Sequence, residues 1–283
     1  MTVAERIRGL VELTRPANAV AAGVLPVVGA FVALDAVGGD SALAIGVASL
    51  VTMLATGAGM AINDYFDREI DRVNDPDRPI PRGAVSPAGA LAVSVALFVL
   101  TIALTLVLLP RLAVFIAVVN LLALVTYTEL FKGLPGVGNA LVSYLVGSAF
   151  LFGGAAVGNP TATLVLALLA ALANFAREVV KDVEDVAGDR EEGLHTLPIA
   201  VGERRALVVA AVALSVAVVA SPVPYLRETF GVAYLVLVAP ADAVMLWASY
   251  RSFDDATAGQ SLLKYGMFLA TVAFVVGRVE VLL

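Results

Sequence analysis

The stretch Ala61–Gly83, AINDYFDREIDRVNDPDRPIPRG, decides how this chain is read, because it sets a burst of charge at the end of a long apolar segment. Asn63, Asp67 and Asp71 are spaced i, i+4 and i+8, so a continuous helix would stack them on one face. Bare carboxylates at that spacing repel one another. A hard divalent cation makes such a stripe tolerable, and Mg2+ takes one or two carboxylates together with substrate phosphates. Arg177–Pro198, REVVKDVEDVAGDREEGLHTLP, repeats the pattern with Asp182, Asp185 and Asp189 at i, i+3 and i+7. Two such stripes facing each other would grip a diphosphate through metal ions. The competing reading is a pair of solvated helix ends, but those scatter their acids without helical phase.

Outward from these stretches the chain is apolar. Of its 283 residues 60% are hydrophobic and 15% charged, where soluble domains carry about a quarter charged; the mean hydropathy is +0.94. Nine stretches have about the length that crosses a bilayer: 16–36, 41–63, 88–109, 111–131, 138–157, 161–181, 204–221, 229–250 and 261–282. The expected fold class is therefore all-α, a polytopic membrane protein with one integral-membrane domain over residues 1–283. The segment before Pro16 has no apolar run and reads as an amphipathic lead-in, not a signal peptide. The chain has no cysteine, which excludes thiol chemistry, disulfides and cysteine metal sites. A net charge of −6 argues against a nucleic-acid partner.

Fifteen of the 18 Lys and Arg residues fall at one face of this topology, leaving Arg111, Arg227 and Arg278 at the other. The positive-inside rule makes the first face cytoplasmic, with the N-terminus inside, the C-terminus outside and both acidic stretches at the cytoplasmic side. A repeat runs through the chain. Asn18 opens the first span and precedes Asn63 by 45 residues; Asn139 opens the fifth and precedes Asp182 by 43. Each acidic stretch closes a second helix and leads into a basic, proline-bearing loop. The expected architecture is two four-helix pseudo-repeats plus one helix, around a central cavity open to the cytoplasm.

The basic residues suit the same ligand. Arg72, Arg78 and Arg82 follow the first stripe, Lys181 precedes Asp182, and Lys132 sits in the loop between the fourth and fifth spans. They would neutralise phosphate oxygens that metals leave uncovered, although the sidedness rule alone also puts cations there. His195 is the sole histidine and reads as a loop residue beside the phosphates, with a general base as the alternative. Tyr65, Tyr127 and Tyr144 either line the cavity or anchor the interface. Gly153–Gly154 reads as close helix packing, not a phosphate cradle.

Asn63-Asp64-x-x-Asp67-x-x-x-Asp71 with Asp77-Arg78-Pro79-Ile80-Pro81-Arg82-Gly83 resembles the first signature of the UbiA superfamily of intramembrane prenyltransferases. Lys181-Asp182-x-x-Asp185-x-x-Gly188-Asp189 resembles its second, Arg15-Pro16-x-Asn18 its opening, and Tyr127 with Lys132 its fourth–fifth loop. Both signatures are most similar to those of the archaeal ether-lipid branch. That resemblance implies Mg2+-dependent transfer of a geranylgeranyl group from its diphosphate to the hydroxyl of geranylgeranylglyceryl phosphate, a glycerol-phosphate ether lipid. It also implies roles: one Mg2+ on Asn63, Asp67 and Asp71, a second on Asp185 and Asp189, and Asp64 or Asp182 taking the hydroxyl proton. Asn18, Arg72, Arg78, Arg82, Tyr127, Lys132, Lys181 and His195 would contact the substrates. His195 departs from the pattern, since many relatives carry Lys there. Two other functions remain: the same fold with an aromatic acceptor, such as a quinone precursor or a chlorophyll-type ring, and a cation-coupled transporter. A transporter would carry ionisable residues near the bilayer midplane, whereas these acids gather at one face.

Overall fold

The computed structural model describes residues 3–34, 39–127, 131, 133–191 and 193–283, and every regular element among them is helical. A short helix α1 (Val3–Leu13) leads into α2 (Pro16–Ala33), α3 (Gly39–Phe66), the short α4 (Arg68–Asn74), α5 (Pro87–Leu108) and α6 (Arg111–Thr126). The second part holds α7 (Val137–Ala156), α8 (Leu164–Glu184), the short α9 (Val186–Glu191) and α10 (Leu197–Val201), then α11 (Glu203–Ala220), α12 (Val223–Leu226), α13 (Val232–Arg251) and α14 (Ala256–Leu282). Eight of these helices are long and apolar enough to cross a membrane. The stretch expected to cross at 111–131 is α6, which ends at Thr126. Its 16 residues rise about 24 Å, short of the ~30 Å hydrocarbon core.

Local chemistry sets several of the ends. Pro16 and Pro87 occupy first-turn positions, where the missing N–H costs nothing. Ser86 caps α5 by accepting the Gly89 N–H at 3.1 Å, and Asp255 caps α14 through the Ala258 N–H at 2.9 Å. The expected repeat is present. Helices α2, α3, α5 and α6 correspond to α7, α8, α11 and α13 at an offset of 118 residues, the separation of Asp64 from Asp182, and α14 follows as the extra helix. The two halves cross where α2 meets α7. A Cβ on Gly29 would stand 2.1 Å from the Phe150 carbonyl oxygen, and one on Gly153 2.0 Å from that of Pro26. Only glycine permits this approach, so Gly153 serves helix packing as the sequence suggested.

Two fixed points orient the ends of the bundle. At one, Leu13 of α1 is fully buried against Ala61, Ile80, Ala84, Val85 and Ala90, so α1 clamps the 75–86 loop onto α3 and α5. Glu12 binds both Arg82 and Arg8, and these guanidiniums hold its carboxyl below the ordinary carboxylate range. At the other, the buried Arg278 of α14 donates to the carbonyls of Leu34 (2.5 Å) and Thr229 (3.4 Å), tying the end of α2 to the approach to α13.

Candidate active site

Both acidic signatures fold into the same local device. Helix α3 stops at Phe66 and α4 restarts after Asp67, whose φ/ψ is −78°/1°; α8 stops at Glu184 and α9 restarts after Asp185, at −89°/0°. Backbone bonds still bridge each break, from Asp67 N–H to Asn63 C=O (2.8 Å) and from Asp185 N–H to Lys181 C=O (3.0 Å). Each half therefore presents three acids around a one-residue kink.

The second and third acids are gripped from the same relative position in the two halves, and the first from near the start of each half's first membrane helix. The first is bound from the start of the half's first membrane helix: Arg15 Nη2 donates to Asp64 at 2.7 Å, and Asn139 Nδ2 to Asp182 at 2.8 Å. The second is bound from one turn earlier: Asn63 Nδ2 donates to Asp67 at 2.8 Å, and Lys181 Nζ to Asp185 at 2.6 Å. The third is bound from seven residues later: Arg78 Nη1 donates to Asp71 at 2.7 Å, and Thr196 Oγ1 to Asp189 at 3.1 Å.

The expected stripe of Asn63, Asp67 and Asp71 is divided. Seven residues of helix fall only about 20° short of two turns, while eight overshoot by about 80°. Asp71 accordingly shares a face with Asp64, and both are buried beneath Arg78, which also reaches Asp64 (3.4 Å) and donates through Nε to Asp75 (3.1 Å). Burial works against the Arg78 charge, but Asp71, Asp75 and Asp64 outweigh it, so the guanidinium holds its proton more firmly than usual. Arg15 is held in the left-handed region at φ 43°, an arrangement that costs a non-glycine residue about 1 kcal/mol or more and aims its guanidinium at Asp64.

These groups surround the mouth of a cavity of about 620 Å³. Arg15, Asn63, Arg78, Tyr127 and Lys181 form its polar end, and mainly apolar side chains of α2, α3, α6 and α7 form the rest, as deep as Val51 and Phe152, with Thr52, Thr56, Asn120 and the α5 residue Thr101 among them. Asn63 and Lys181 come from different signatures, so the two meet on one space. The Tyr127 hydroxyl reports the same convergence. Burial first, then the charges of Glu178, Asp182, Asp67 and Asp189, push its pKa up to about 12. It stays a neutral hydroxyl through the physiological range. A polar recess of about 30 Å³ between Tyr127, Asn139, Glu178, Asp182 and Thr196 adjoins it. On the other side of Arg15, Asp64 and Arg78 lies a polar cleft of about 260 Å³ that includes Arg82.

Not every expected contact is gathered here. Asn18 is exposed on the first turn of α2 and lines none of these spaces; Arg15, three residues earlier, holds the position expected of it. Arg72 is exposed, pairs with Glu69 at 2.6 Å and lines none of these spaces. Arg82 binds Glu12 and the Asp77 carbonyl (2.7 Å) in the side cleft. His195 is exposed, and its backbone N–H donates to the Gly133 carbonyl at 3.0 Å, tying the two loops. Lys132 lies outside the described residues. Arg15, Asn139 and Thr196 were missing from the expected site; the 118-residue offset, which sets Thr196 against Arg78, was the signal for Thr196 alone.

A metal has to suit this donor set. Among the described residues no three acids or histidines stand close enough to make a ready cage. The candidate donors Asn63, which lines the cavity, and Asp67, Asp185 and Asp189, bound by Asn63, Lys181 and Thr196, all present oxygen. That set fits Mg2+, which dehydrates reluctantly and completes its shell with water and substrate phosphate.

An all-helical bundle of apolar spans, with two acidic kinks around a greasy cavity, defines an intramembrane enzyme for a diphosphate with an apolar tail. The chain belongs to the UbiA prenyltransferase family, whose model matches residues 23–272. It is 63% identical over 279 residues to a digeranylgeranylglyceryl phosphate synthase from Natronomonas pharaonis, covering 98% of this chain and 99% of that one. A synthase of the same name from Haloquadratum walsbyi is 56% identical, covering 97% and 96%. A solved digeranylgeranylglyceryl phosphate synthase structure superposes with a TM-score of 0.87 at 34% identity, over 98% of this chain and 99% of that one. A UbiA homologue from Archaeoglobus fulgidus, solved with GPP and Mg2+, shares the fold with a TM-score of 0.72 at 16% identity, over 96% and 99%.

Proposed function

We propose that this prenyltransferase moves a geranylgeranyl group from geranylgeranyl diphosphate to the hydroxyl of geranylgeranylglyceryl phosphate, at the cytoplasmic side of a membrane crossed by the eight long apolar helices and, as a ninth and shorter crossing, by α6. The observation that carries the reading is the convergence of Asn63 and Lys181, one from each signature, on one apolar cavity. The names of relatives 56–63% identical over nearly their whole length support the choice of substrates. The GPP and Mg2+ in the Archaeoglobus fulgidus homologue support a metal-bound prenyl diphosphate.

Asn63 and Asp67 would hold one Mg2+, and Asp185 and Asp189 a second. Bound there, Mg2+ supplies charge neutralisation for the diphosphate as it leaves. The remaining steps belong to the chain's own residues. Arg15, Arg78 and Lys181 bind phosphate oxygens at the mouth. The apolar walls hold the prenyl chain and keep water from the allylic carbon as its C–O bond lengthens. Asp64 carries two guanidinium contacts, which make it the residue that positions Arg15 and Arg78. Asp182, bound by a neutral amide, takes the proton as the acceptor oxygen attacks.

Three cations at one mouth favour an acceptor with its own phosphate over an uncharged aromatic ring. Mass analysis of the lipid formed from geranylgeranyl diphosphate, with geranylgeranylglyceryl phosphate or an aromatic acceptor and with or without Mg2+, tests this. The expected product is the double ether, formed only with Mg2+. Prenylation of the aromatic acceptor alone would overturn the reading.

A further inference from the structure

The large cavity has a small counterpart in the second half. A cavity of about 80 Å³ is lined by Leu169, Ala170, Ala173, Val238, Asp242 and Met245. These stand 118 positions after Val51, Thr52, Ala55, Asn120, Leu124 and Tyr127, all of which line the large one. The two are the same feature of the repeated half-bundle. The second is smaller because α14, which has no partner in the repeat, lays Met267, Ala270 and Phe274 against it. Its polar edge is satisfied internally: Ser221 Oγ donates to Asp242 at 2.6 Å, and Tyr234 Oη to the Ser221 carbonyl at 2.6 Å. No step of the transfer chemistry uses this space.

Leu25 and Val146 line both cavities, so two aliphatic side chains form the wall they share. Each lies nine residues from the signature end of its helix, about 14 Å deep at 1.5 Å per residue. A prenyl chain anchored at the mouth spans about 15 Å with three extended isoprene units, taking ~1.25 Å per main-chain carbon from the bond length. Its fourth unit arrives at this wall. An aliphatic wall has no hydrogen bond to break, and the space behind it matches one branched five-carbon unit in size and apolar character.

Building on the proposed substrate, we propose that this second cavity is a side chamber for the terminal isoprene unit of the donor, entered when Leu25 and Val146 part. It makes the enzyme select a four-unit chain over a three-unit one. The test compares kcat/KM for geranylgeranyl and farnesyl diphosphates, with geranylgeranylglyceryl phosphate as acceptor, in the full-length protein and in Ala170→Leu and Ala173→Leu, which fill the chamber. The expected result is a fall of at least tenfold in the ratio of the four-unit to the three-unit donor. A ratio within twofold of the parent protein's would overturn the chamber. Should the filled variants not fold, Leu25→Ala opens the wall instead and should favour a five-unit donor over the four-unit one at least fivefold; an unchanged ratio there overturns the proposal equally. A parent protein that makes no ether product from either donor would count against the proposed function, which separates the two failures.

Discussion

The two acidic signatures share a skeleton and differ in the charge of what grips it. In the first, Asp64 and Asp71 are held by the guanidiniums of Arg15 and Arg78, and Asp67 by the amide of Asn63. In the second, the Asn139 amide binds Asp182, the Thr196 hydroxyl binds Asp189 and the Lys181 ammonium binds Asp185. Two buried carboxylates under two guanidiniums make a rigid frame that also offers its arginines to phosphate. The repeat keeps the skeleton and changes the chemistry of its grips, most plainly where Arg78 in one copy is replaced by Thr196 in the other.

The second acid of each signature is the point where the halves should still behave alike, and it gives the largest effect. Asp67→Ala and Asp185→Ala should each lower transfer by about a thousandfold or more, on the scale of losing a preorganised charge contact, while the protein still inserts. Product formation in vesicles, with insertion checked by protease protection, measures this. Near-normal turnover in either variant would end the symmetric two-signature scheme.

Stability should split the halves instead. Arg15→Ala leaves the buried Asp64 with only the longer Arg78 contact, and removing one partner of a buried pair costs about 3 kcal/mol once the one-third exposure of Arg15 is allowed for. Asn139→Ala removes a neutral donor and should cost about 1 kcal/mol. Thermal unfolding in one detergent compares them directly. Equal losses would mean that the guanidinium is no more structural than the amide.

Much of this frame was legible in the sequence, and the misses have local causes. Apolar run length gave the helices, because only an unbroken helix satisfies the backbone in lipid. The doubled acidic spacing gave both signatures. The kinks at Asp67 and Asp185 were not visible, since one residue near ψ 0° leaves no mark on an i+4 pattern. Reading Asn63, Asp67 and Asp71 as one stripe put Asp71 beside Asp67, when helical phase and Arg78 draw it to Asp64. Arg15 was overlooked for Asn18 because its contact spans 49 residues and depends on a left-handed turn before Pro16. The side chamber is a property of packing between α14 and the second half, and no periodicity encodes it.

The third grip offers the finest test, because it changes one position in both directions. Thr196 stands where Arg78 stands in the other half. Thr196→Arg would give the second signature a guanidinium on Asp189, in competition with Mg2+, and should raise the Mg2+ needed for half-maximal rate about tenfold. Thr196→Val removes a 3.1 Å hydrogen bond of about 1 kcal/mol and should shift it only about fivefold, through looser placement of Asp189. Initial rates against free Mg2+, with Mg2+-dependent thermal stabilisation as a second readout, place both variants on one scale. If the arginine variant needs no more Mg2+ than the valine variant, charge at the seventh residue does not distinguish the halves. Their difference would then rest on Lys181 against Asn63, the one exchange at the cavity mouth itself.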